Sequence, residues 1–196
     1  MKTRHTLLSI AVAAVMAMAL SAHGASKSPP QEGDLFPDVK LAMPDAAEQR
    51  NYLGLSQGKS FAVTDIKATI VIIEILSMYC PHCQREAPLV NELYRVIEGN
   101  PAYRGTVKLI GIGAGNSAFE TKVFREKYDV PFPVIPDGDF YLHRELGEAR
   151  TPFFIGVRIE EGTARVFYAK LGGFEKPDEF LKLLLDRAGL PKGGAS

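Results

Sequence analysis

"IVIIEILSMYCPHCQREAPLV", residues Ile70 to Val90, holds both cysteines of the chain, Cys80 and Cys83, with only Pro81 and His82 between them. The run before them, Thr69 to Leu76, is apolar and rich in β-branched residues, the pattern of a strand buried on both faces. Its one polar interruption is an acid, Glu74. A helix is expected to begin at the cysteines and to run to about Glu98. Pro81 suits its first turn, and Pro88 falls inside it as a kink. A strand that delivers two cysteines onto a helix start governs how everything around it is read.

Working outward, the chain has 196 residues, 46% hydrophobic and 23% charged, enough for one domain with a real core. Lys+Arg and Asp+Glu each count 23, so the balance points to neither nucleic acid nor an acidic partner. The first two dozen residues differ from the rest. Lys2, Arg4 and His5 form a basic start, Leu7 to Leu20 is apolar apart from Ser9, and Ala22-His23-Gly24 presents small residues where an export peptidase reads. These are the three parts of a secretory signal peptide, with an apolar run short of the roughly 20 residues of a membrane span. The expected organisation is a signal peptide over 1–24, a linker over 25–32, one domain over 33–190 and a flexible tail over 191–196. Loss of Lys2 and Arg4 leaves 21 basic against 23 acidic residues, a net charge of −2.

Within the domain, 33–61 is turn-rich and reads as an N-terminal extension with one or two short strands, including Ser60 to Val63. Further strands are expected at Thr106–Ile112, Phe132–Ile135, Phe153–Ile159 and Ala164–Leu171. The last two are joined by a hairpin turn at Glu160-Glu161-Gly162-Thr163. Helices are expected at Ser117–Tyr128, capped by Ser117 and patterned by Phe119, Val123, Phe124 and Tyr128, at Phe140–Gly147 and at Pro177–Ala188. This order implies an α/β fold, a mixed sheet with helices on both faces. "GIGAGN", Gly111 to Asn116, lacks the last glycine of a dinucleotide fingerprint and reads as a flexible turn after a strand.

Two cysteines this close make a poor staple, because the loop they close is tiny. They are better placed for chemistry. At a helix N-terminus, free N–H groups and the helix dipole stabilise a Cys80 thiolate, lowering its pKa from about 8.5 into the range of roughly 3.5–7.5. A thiolate attacks disulfides, and Cys83, one turn on, can resolve the mixed disulfide. His82 can add positive charge or a hydrogen bond at the Cys80 sulfur. Glu74, in a buried strand, should have a raised pKa and can exchange the proton of Cys83. Glu86, three residues after Cys83, can share its helix face. Thr151-Pro152, before a strand, invites a cis peptide that exposes backbone groups to an extended substrate. A zinc site would need more ligands than His82 and a distant His143 supply, and Gln84 stands where haem attachment needs a histidine. No metal and no bound cofactor are expected.

These features together resemble the thioredoxin superfamily and, within it, the exported TlpA-like branch that includes cytochrome c maturation reductases. The similarity runs from about Gly33 to the closing helix. "YCPHC" matches the redox motif, Pro88 the helix proline, Glu74 the buried acid, Glu86 the acid after the motif of TlpA-like reductases, and "RTPFFI" the cis-proline loop. "GDLFPDVKL" and "SFAVTDIKATIVIIEIL" resemble the opening shared with the peroxiredoxin branch, and "DVPFPVIPD" their central insertion. Tyr79 stands where most relatives have tryptophan. Pro81-His82 is the dipeptide of strongly oxidising periplasmic dithiol oxidases rather than of reductases.

The resemblance implies a thioredoxin-like fold with a short N-terminal strand extension and a central insertion. It also implies an exported, periplasmic thiol–disulfide oxidoreductase acting on protein thiols and disulfides. Cys80, Cys83, Glu74 and Glu86 would do the chemistry, and Tyr79, Pro81, His82, Thr151 and Pro152 would meet the substrate. A membrane-bound electron donor or acceptor protein would be its partner. The framework favours a reductase. The alternatives are a dithiol oxidase, favoured by the dipeptide, and a thiol peroxidase, weakened because Ser77 stands where a peroxidatic approach usually carries threonine.

Overall fold

The computed structural model describes residues 27–190. The expected signal peptide over 1–24 and the tail over 191–196 lie outside the described residues. In chain order the elements are β1 (Leu41–Ala42), α1 (Ala47–Leu53), β2 (Ser60–Phe61), β3 (Ile70–Leu76), α2 (Pro81–Gly99), α3 (Pro101–Arg104), β4 (Val107–Ala114), α4 (Ala118–Lys127), β5 (Val134–Asp137), α5 (Tyr141–Glu145), β6 (Phe153–Glu160), β7 (Thr163–Leu171) and α6 (Pro177–Arg187).

Five strands form one mixed sheet in the order β5-β4-β3-β6-β7. β3 is central, parallel to β4 and antiparallel to β6. All seven of its residues are buried. Alternation along β3 sorts them between two cores. Val71, Ile73 and Ile75 face one core, with Leu53, Phe61 and Leu142 from the N-terminal segment and α5. Ile70, Ile72 and Leu76 face the other, with Val90 and Leu93 of α2, Phe124 of α4, and Phe180 and Leu184 of α6. Helices therefore cover both faces of a thioredoxin-like sheet, as the element order implied. The alternation also puts Glu74 on the α2 side.

Several boundaries differ from expectation. The turn-rich stretch hides α1, whose Ala-Glu-Gln-Arg core favours helix and which ends at Gly54 in a left-handed cap (φ 66°). The strand expected over Ser60–Val63 stops at Phe61, and a 3₁₀ turn follows over Val63–Asp65. β5 begins two residues later than expected, with Phe132 buried in the loop before it. Phe119, expected on the apolar stripe of α4, is 74% exposed. Gly111 to Ala114 of "GIGAGN" belong to β4, which leaves Gly115 and Asn116 as the turn. The β6–β7 hairpin turns through Glu161 and Gly162, both at positive φ (50° and 76°), the twist that two-residue hairpins favour. Among the described residues no helix is long and apolar enough to cross a membrane.

Candidate active site

Cys80 is the N-cap of α2, with extended backbone (φ −83°, ψ 114°). Its sulfur takes the place of the usual capping oxygen and accepts the N–H of Cys83 at 3.4 Å. As a thiol it donates to the carbonyl of Thr151, also at 3.4 Å. Thr151 precedes Pro152 through a cis peptide bond. Partial burial opposes ionisation of Cys80. Hydrogen bonding from the Thr151 side chain and from the N–H groups of Cys83 and His82 outweighs it, so the thiol sits below its ordinary pKa. Both cysteines carry free thiols, Cys80 half-buried and Cys83 buried. Burial pushes the Cys83 thiol strongly up, and Cys80 and Glu74 add to the effect. One sulfur is therefore set up to ionise and meet solvent, the other to stay protonated and sheltered.

Glu74 is 2% exposed. Burial, then the neighbouring Glu86 and Cys80, raises its pKa to about 8. Among the described residues no hydrogen bond or ion pair to its carboxyl is found, so nothing offsets the cost of ionising it there. Glu86 is half-buried, and burial raises its pKa too, against a 2.7 Å hydrogen bond from the Phe174 N–H. Gly173 makes that contact possible: a Cβ there would lie 2.1 Å from a Glu86 carboxylate oxygen.

The remaining expected residues divide. Pro81 starts α2 in the open, and Tyr79 is 66% exposed, its hydroxyl bonded to Glu120. Among the described residues no hydrogen bond joins the His82 ring to the Cys80 sulfur. The ring is exposed and its Nδ1 lies 2.9 Å from an Arg85 guanidinium nitrogen. What His82 gives Cys80 is its backbone N–H. Among the described residues, no group of three or more His, Cys, Asp or Glu side chains gathers as metal ligands would.

The AhpC/TSA family model matches residues 33–169, more than half of the chain. The chain belongs to the AhpC/TSA family. This AhpC/TSA protein is also similar to curated relatives. The thiol-disulfide oxidoreductase ResA of Bacillus cereus is 32% identical over 82 residues, 41% of this chain and 44% of that one. The chain thus spans less than half the length of the first curated relatives it matches. The ResA of Halalkalibacterium halodurans is 24% identical over 157 residues, 79% of this chain and 85% of that one. Among solved structures, a thiol:disulfide interchange protein from a Bacteroides species aligns with TM-score 0.58 at 14% identity, covering 84% of this chain and 95% of its own. A thioredoxin family protein from Chlorobium tepidum aligns at 0.56 and 16% identity, covering 82% and 99%. At these identities the structures speak for the fold.

Sequence reasoning missed two residues that hold the motif of this AhpC/TSA protein in place. Asn116 is fully buried. Its side-chain oxygen accepts the Met78 N–H at 2.8 Å, and its own N–H donates to Gly113 at 2.9 Å. Gln84 donates from its side chain to the Met78 carbonyl at 2.7 Å. Together they fix the loop that carries Tyr79 and Cys80. An asparagine closing a glycine-rich strand end is the one signal that pointed there.

Proposed function

We infer that this protein is an exported thiol–disulfide oxidoreductase, and that it works in the reducing direction. One observation carries the reading: the half-buried Cys80 sulfur caps α2 at 3.4 Å from the Cys83 N–H and lies beside the Thr151–Pro152 loop. The Cys80 thiolate attacks a substrate disulfide and displaces one substrate sulfur, forming a mixed disulfide. Cys83 then loses its proton and attacks Cys80, which releases the second substrate thiol and leaves a Cys80–Cys83 disulfide. Two electrons and two protons pass from the dithiol to the substrate.

Cys83 cannot ionise unaided in its apolar setting, so the step needs a nearby base. Glu74 carries that role, with Glu86 beside it tuning its proton affinity. The Thr151 and Pro152 backbone and the exposed Pro81, His82 and Tyr79 form the surface a substrate meets. A membrane-bound protein restores the reduced pair, and the leader over 1–24 directs the chain out of the cytosol. The names of the ResA relatives support the reading at the level of the reaction.

Two measurements test it. Cys83→Ala strands the mixed disulfide on Cys80, so non-reducing gels of cells expressing it should show adducts that Cys80→Ser abolishes; no adducts would count against the reaction. Redox titration of the pair tests the direction. A potential well below about −120 mV fits a reductase, whereas a value at that level, typical of a strong periplasmic oxidant, overturns the direction and leaves the chemistry standing.

A further inference from the structure

Beside Cys80 lies an open groove of about 420 Å³, walled by the first turns of α2, by the loop before β6 and by the end of β7. Its floor is Thr151 and Pro152, and the Gly172 N–H donates to the Pro152 carbonyl at 2.9 Å, tying the end of β7 to that loop. Two arginines project into it from different elements, Arg85 from α2 and Arg150 from the loop. Both are exposed, and among the described residues neither takes part in an ion pair. Arg85 instead sits 2.9 Å from the His82 ring. The one carboxyl in the groove, Glu86, is engaged by the Phe174 N–H, so two guanidinium groups face a single carboxyl that already has a partner. The groove is therefore a local cationic site on a chain whose formal charge is zero.

Unpaired guanidinium groups flanking a cleft favour carboxylates, which they bind in a forked geometry. Because the groove borders the reacting sulfur, whatever fills it lies next to the substrate's own cysteine. We propose that this groove selects protein substrates carrying Asp or Glu side chains beside the reacting cysteine, with Arg85 and Arg150 as the residues that read them. The inference rests on the oxidoreductase reading and specifies its substrate class.

The test uses prereduced full-length protein in single turnover against two disulfide-linked peptides of equal length, one with Asp and Glu around the cysteine and one with Lys. The quantity read is the ratio of the two rates, so that any general change in thiol reactivity cancels. In low salt the wild type should prefer the acidic peptide by about tenfold, and the ratio should fall towards one near 0.5 M salt, on the order of the screening expected. The charge-reversed R85E/R150E protein should invert the preference; both side chains are exposed, so folding is not at stake. A wild-type ratio near one, or a preference that survives in the variant, overturns the assignment. A neutral disulfide, 2-hydroxyethyl disulfide, separates the two readings. If it is reduced while the peptides are not distinguished, only the groove assignment falls. If no disulfide is reduced at all, the oxidoreductase reading falls and takes this one with it.

Discussion

At the scale of single residues, the two sulfurs differ because one ends a helix and the other is enclosed by it. Cys80 has N–H donors and partial access, whereas Cys83 has neither a charge nor water to offset ionisation. Iodoacetamide should therefore label Cys80 alone in the native protein, with a rate midpoint below the roughly 8.5 of a free thiol. Cys83 should react only after unfolding, as mass spectrometry of the labelled peptides would show. Glu74 has a consequence for stability. Its folded pKa of about 8 lies above its ordinary value of 4.5, so the folded state holds a proton that the unfolded chain gives up. That favourable difference is complete below pH 4.5 and is lost as the pH rises through 8, a change of a few kcal/mol. The groups facing Glu74 are Glu86 and Cys80, with Cys83 near enough to feel its charge. Denaturant unfolding of the wild type should weaken across this window, and Glu74→Gln should flatten the profile while slowing resolution by Cys83.

At the scale of elements, the site depends on how ends are fastened. Ser117 caps α4 and exchanges hydrogen bonds with Glu120, a capping box whose loss in Ser117→Ala should cost about 1 kcal/mol in chemical denaturation. Asn116→Ala should cost more, about 1–3 kcal/mol by the same measurement, because the part-buried Met78 N–H loses the acceptor that the fully buried Asn116 side chain supplies. Gly173→Ala should behave differently again. The new methyl strikes only the tip of the flexible Glu86 side chain, so melting should change little. Insulin reduction should slow, as in Glu86→Gln, because the carboxyl is pushed off Phe174. The strongly patterned elements were legible in the sequence: β3 from its unbroken apolar run, α2 from the cysteine and proline at its start, the β6–β7 hairpin from Glu161-Gly162. Short elements and side-chain fastenings were not. α1 is only seven residues long and lies in a stretch punctuated by proline and glycine, where turn signals outweigh propensity. Asn116 reads as a turn residue because its partner Met78 is remote in the chain. The His82 ring is a related case: sequence places it beside Cys80 but does not say that its Nδ1 meets Arg85, one turn on.

At the scale of the whole molecule, the sheet has two outer strands and each is closed in its own way. Residues 33–36 run alongside β7, with Gly33 donating to Val166, Phe36 donating to Ala164 and Val166 donating to Asp34, all at 2.8–2.9 Å. β5, at the other side, contains Pro136 and follows Pro133, which carry no N–H. A chain beginning at Asp38 should lose the cover over β7 and the buried Phe36 ring. It should melt earlier and show concentration-dependent association by size-exclusion chromatography, which the full chain should not. That the cores and the central strand were readable while these borders were not follows from what each uses. Burial writes itself as periodicity, but a border is closed by backbone groups that any residue supplies. The closed borders also shape how the molecule handles clients. An unfolded polypeptide brushing past meets a broken row of donors on one flank and an occupied row on the other. It can engage by extension only near the sulfurs, and it leaves when they let go.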